Sequence, residues 1–102
     1  MDQGKREGLE SPAIDERFSL YWWDNLGNQY RELYLMPAAE VVARTQSLML
    51  GPAAQSLNII NKIMIEDGGG FSNFEWTSQD GVTFPECQKG WFKPKGKEVA
   101  HE

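Results

Sequence analysis

The sequence predicts an α+β fold: a two-layer domain in which an antiparallel five-stranded sheet carries one helix on one face. Three observations carry that prediction. Five short runs, bounded by turn residues, place their side chains at a period of two. One run, Pro37 to Leu50, repeats apolar residues at three and four. The resulting order, ββαβββ, closes into a sheet of strand order 2-1-3-4-5 without crossed connections.

Positions 1–15 are polar and charged, with Gly4, Gly8 and Pro12. Leu9, Ala13 and Ile14 are too few to offset the entropy of ordering, so a flexible arm is expected. A single domain over positions 16–92 follows, then a flexible tail over 93–102.

The first strand is Arg17 to Trp23. Phe18, Leu20 and Trp22 fall on one face, Ser19, Tyr21 and Trp23 on the other, so both faces carry large apolar groups. Asp24 to Asn28 supplies turn residues, and Gln29 to Met36 returns as the second strand. Strict alternation there groups Tyr30, Glu32, Tyr34 and Met36 against Arg31, Leu33 and Leu35. Pro37 suits the first helical position. Ala38, Val41, Val42, Thr45, Leu48 and Met49 form the apolar face of the helix. Glu40 and Arg44 stand four apart on its solvent side. Gly51 is expected as a left-handed cap and Pro52 as a stop. A connector over Ala53 to Leu57 follows.

Asn58 to Glu66 is the expected central strand, with Ile59, Asn61, Ile63 and Ile65 on one face. Gly68, Gly69 and Gly70 reverse the chain. Phe71 to Thr77 is the fourth strand, with Phe74 and Trp76 on one side. Ser78 to Gly81 turns, and Val82 to Phe84 is the last strand.

Composition narrows the function classes. The chain has 102 residues, 40% hydrophobic and 25% charged, enough for one domain with one core. A net charge of −5 argues against a nucleic-acid or anionic membrane partner. No apolar run approaches the roughly 20 residues of a membrane helix. One cysteine, Cys87, excludes an internal disulfide framework and fits a reducing compartment. Met1 to Arg6 precedes no apolar segment, so no secretion signal is expected and the cytoplasm is the expected location.

Chemistry-bearing residues are sparse. His101 lies in the expected tail, where a base has no fixed geometry. Cys87 has no base beside it in sequence, and the two lack further zinc ligands. The triple glycine leads into a strand rather than a helix and follows Glu66 and Asp67, which repel phosphate. No catalytic residue, metal site or cofactor is assigned. The topology puts Asp24 and Asp80 at one end of the sheet, where they could form a carboxylate or divalent-cation site; turn aspartates more often bond their own backbone.

Sizes give the leading functional expectation. Five strands make a sheet about 19 Å wide. A 14-residue helix is about 21 Å long and about 10 Å across, and so covers roughly half of one face. The uncovered side would then expose aromatic residues, drawn from Tyr21, Trp22, Trp23, Tyr34 and Trp76. Their cover could be a second copy, another protein, or this chain's own Trp91 and Phe92. The expected function is a small non-catalytic protein-binding or assembly module. The alternative is a small enzyme or ligand-binding domain at the Asp24/Asp80 end. A weaker one is an acidic inhibitor of a nucleic-acid-handling protein. Aromatic stacking of single-stranded bases is disfavoured by the acidic sheet segments.

Overall fold

The computed structural model describes residues 16–94. The expected arm, 1–15, lies outside them, as does most of the expected tail. Lys93 and Pro94 are described, and the Pro94 side chain is fully buried, so packing extends past position 92.

The elements are β1 (Arg17–Asp24), β2 (Gln29–Pro37), α1 (Ala38–Leu50), α2 (Pro52–Gln55), β3 (Ile60–Asp67), β4 (Ser72–Thr77) and β5 (Gly81–Phe84). A 3-10 turn, Glu86–Gln88, follows. All four strand pairings are antiparallel and the sheet order is β2-β1-β3-β4-β5, as the sequence predicts.

Leu20, Ile63, Trp76 and Val82 pack with Val41 and Met49 of α1, all nearly inaccessible to solvent. Each such side chain contributes about 1.5–3 kcal/mol on burial. Phe18, Trp22, Leu33, Met36 and Phe74 pack against this group from the same side. α1 lies over β1 and β2. Its buried positions, Val41, Thr45 and Met49, repeat every four residues, while Val42 is about half exposed.

Bulges revise the faces expected for two strands. Trp23 pairs with Lys62 and Asp24 with Ile60, so Asn61 is the extra residue. The slip turns Ile60 into the core and leaves Ile59 45% exposed, reversing their expected roles. On β2, Phe18 opposes Met36, Leu20 opposes Leu33 and Tyr21 opposes Arg31. Two insertions therefore break the alternation. Leu33 and Met36 reach the core, and Leu35 takes φ 52° with its N–H bonded to the Ser19 hydroxyl.

Two expected local details also change. Gly51 is extended, at φ −81° and ψ 171°, rather than left-handed. Its smallness serves close approach instead: a Cβ would stand 2.9 Å from the Ser47 carbonyl oxygen. Arg44 reaches across to Glu32 on β2, at 2.6 Å, rather than pairing along the helix with Glu40.

The C-terminal segment completes the layer. Val82 N–H donates to the Trp91 carbonyl and Gly90 N–H donates to the Val82 carbonyl, each at 2.8 Å. The Trp76 indole N–H donates to the Phe92 carbonyl at 2.9 Å. The segment thus borders the outer strand β5 and covers the helix side of the sheet, where Phe92 joins the core.

Candidate functional site

The register fixes what stands on the helix-free face. Arg31, Tyr21, Met64, Glu75 and Phe84 are mutually opposed across the five strands and form one row. Gln29, Trp23, Lys62 and Thr77 form the next row. Ser19, Glu66 and Ser72 form a third. Apolar and aromatic groups thus occupy the middle, with charges beside them.

These side chains are held in place. The Arg31 guanidinium lies 4.3 Å from the centre of the Tyr34 ring. The Lys62 ammonium lies 5.2 Å from a ring centre of Trp23. Such cation–π contacts are worth about 0.5–1 kcal/mol at exposed sites. The Ser72 hydroxyl donates to Glu75 at 2.7 Å. Tyr21, Trp23 and Met64 are half-buried, while Tyr34 is 55% and Phe84 45% exposed.

The five aromatic residues named from the sequence divide between the two sides. Tyr21, Trp23 and Tyr34 lie together on the helix-free face. Trp22 lies on the opposite side, stacked on Tyr30 at 4.3 Å between ring centroids. Its indole N–H donates to Glu32 at 3.1 Å. Trp76 is wholly buried, so it is a core residue and presents no surface. Alternation alone could have separated Trp22 from Trp23. Met64 and Phe84 were not named, although Met64 was visible among the charged residues of its strand. The position of Phe84 depends on the bulge between β4 and β5.

Trp91 and Phe92 pack on the helix side. They border a groove of about 300 Å³ between α1 and β4, walled by Phe18, Val41, Met49 and Phe74 with Gln46, Asn73 and Gln88 among its lining. Hence the described C-terminal segment leaves the Tyr21/Trp23 face open.

The carboxylate end has a different character. Asp24 accepts from Leu26 N–H and Asn28 N–H at 2.9 Å each, from the Asn28 amide at 3.1 Å and from the Tyr30 hydroxyl at 2.9 Å. The Asn28 amide, followed by the further hydrogen bonds, holds the Asp24 carboxyl below its ordinary value. Asn25 donates its side-chain amide to the Asn58 carbonyl. The Asp80 N–H is bound by Thr77 at 3.1 Å. Among the described residues, no group of three or more His, Cys, Asp or Glu is placed to hold a metal ion.

The free cysteine, Cys87, is exposed. No described helix is long and apolar enough to cross a membrane. No protein family, curated protein or solved structure matches the chain.

Proposed function

We propose that this chain is a small non-catalytic assembly module that binds protein through the helix-free face of its sheet. One observation supports the reading: Trp91 and Phe92, the chain's own aromatic cover, pack on the side that already carries the helix. Tyr21, Trp23 and Met64 remain at the centre of the other side, with Tyr34 and Phe84 more exposed. Aromatic residues ringed by polar groups are the composition of binding hot spots. The proposed setting is the cytoplasm, in keeping with the single free thiol.

A photo-cross-linking amino acid at position 23, compared with one at Val42 on α1, tests this in the cell of origin. Protein adducts should form from position 23 and disappear in a Met64→Glu background. Equal adducts from both positions, or none from position 23, would sink the proposal.

The groove beside α1 supports a second reading, a domain that holds a small apolar ligand. Its volume lies at the lower end for ligand sites, and its walls are aromatic and aliphatic with a few amides. An apolar fluorescent dye such as anilinonaphthalene sulfonate should then shift the amides of Phe74 and Trp91 while leaving Trp23 alone. Shifts spread over both faces would remove this reading.

A further inference from the structure

We infer that the partner for the helix-free face is a second copy of this chain, docked about a two-fold axis that runs along the strands between β1 and β3. The inference rests on reading that face as a binding surface, and it adds the partner's identity and the symmetry.

A two-fold axis relating two facing sheets must lie in the plane between them. If it runs along the strands, residues keep their row and exchange sides: β1 meets β3 of the second copy and β2 meets β4. The register then dictates the contacts. In the central row Arg31 meets Glu75 and Tyr21 meets Met64. In the next row Trp23 meets Lys62, the same pairing of ring and ammonium already present within one copy. Every contact occurs twice, so one copy offers both halves of each.

Charge decides between the possible axes. If the axis ran across the strands, each residue of the central row would meet its own counterpart. Arg31 would face Arg31 and Glu75 would face Glu75, and like charges at a contact cost free energy. The axis along the strands turns both clashes into attractions. Aligned sheets cross at about 30°, which displaces opposed residues on β2 and β4 by about 4 Å. That is less than the roughly 7 Å between rows, and Arg and Glu side chains span it.

The sheet edges offer poorer alternatives. β2 carries two bulges and ends in Pro37, features that blunt an edge. The other edge, β5, is hydrogen-bonded by Gly90 and Trp91. Face-to-face docking uses neither edge.

The interface is small. Four of the five strands overlap about this axis, so a face about 19 Å by 20 Å gives roughly 400 Å² per copy, against about 800 Å² in a standard interface. A weak dimer follows, with a dissociation constant on the order of 10–100 µM.

Sedimentation velocity across that range, with Arg31→Glu, Glu75→Arg and their equimolar mixture, tests the inference. The unaltered chain should dimerise, and each single variant should weaken the dimer at least about tenfold, because each creates two like-charge contacts. The mixture should recover it, since each variant supplies the charge the other lacks. A dimer unaffected by either variant, or a mixture that stays monomeric, overturns the two-fold arrangement. If a variant fails to fold, a nitroxide on Thr77→Cys in a Cys87→Ser background replaces it. The nitroxide should broaden the Gln29 amide of unlabelled copies, and absence of that broadening also overturns the arrangement. A chain monomeric at several hundred micromolar ends self-association altogether; heterologous adducts from position 23 would then leave the broader proposal standing.

Discussion

The carbonyl oxygen of Trp91 stands 2.5 Å from the point a Cβ on Gly81 would occupy. Gly81 also has φ +74°, and the Gly90 carbonyl and Lys93 N–H approach the same point at 3.0 Å. The obstructing atoms are backbone, so no rotamer change relieves the clash. Gly81→Ala should therefore expel the C-terminal segment from the edge of β5. Left-handed strain alone costs about 1–2 kcal/mol; with the lost packing of Phe92 the expected total is about 2–4 kcal/mol. Urea unfolding measures the loss, and faster amide exchange at Gly90 locates it. Unchanged stability would mean that the segment is not held there.

Trp76 and Trp23 should respond in opposite ways. Trp76→Phe leaves a void in the core and strips the Phe92 carbonyl of its donor. It should cost about 2–4 kcal/mol and leave association unchanged once the protein is folded. Trp23→Ala removes a half-buried residue whose ring is met by the Lys62 ammonium. It should cost less stability and weaken association. Paired thermal unfolding and sedimentation separate the two, and a Trp76 variant with selectively altered association would refute the division.

How much of this was legible beforehand depends on periodicity. Alternation along Arg17–Trp23 survived because β3 pairs without a break from Phe18 to Trp23 and the extra residues facing it on the other side belong to β2, so Tyr21 and Trp23 were readable as one face. It failed around Ile59 and along β2, because a bulge depends on the partner strand and not on the chain that carries it. The separation of Trp22 from Trp23 was already present in that alternation. The burial of Trp76 was not, since it depends on Phe92 returning from 16 positions away.

Asp24 and Asp67 close their hairpins in the same way. Each accepts backbone N–H groups two and four residues on, and Gly27 and Gly70 both take φ +88°. The Asn28 side chain first, for Asp24, and the Phe71 N–H first, for Asp67, hold these carboxyls below 3.8. A lowered folded-state value favours the ionised form. Its stabilisation is complete above the unfolded carboxylate range and is lost as pH falls through the folded values. Stability should thus decline below about pH 4, and Asp24→Asn with Asp67→Asn should flatten that decline. Carboxyl NMR titration should give midpoints below 3.8 for both, and ordinary midpoints would contradict the turn geometry.

The same aspartate acts on a neighbour. The Tyr30 hydroxyl donates to Asp24 at 2.9 Å, which raises its phenol above 10.0, aided by desolvation and the nearby charge. Asp24→Asn should return the tyrosine toward its ordinary value in an ultraviolet titration. A Tyr30 midpoint identical in both proteins would show that the hydrogen bond does not persist in solution.

Glu32 ties the helix to the sheet through both carboxylate oxygens, one accepting from the Trp22 indole and the other from Arg44. It is the residue of β2 without an opposite number on β1, between Arg31 and Leu33, and alternation from Tyr30 already puts it on the helix side. Partial exposure of the pair, 47% for Arg44 and 26% for Glu32, screens the ionic contact. A double-mutant cycle of Glu32→Gln and Arg44→Gln should accordingly give a coupling of only about 0.5–1 kcal/mol, shrinking with added salt. Glu32→Ala should cost more than Arg44→Ala, because it also leaves the half-buried Trp22 N–H without its acceptor. Equal losses from the two alanine variants would show that the indole bond contributes nothing.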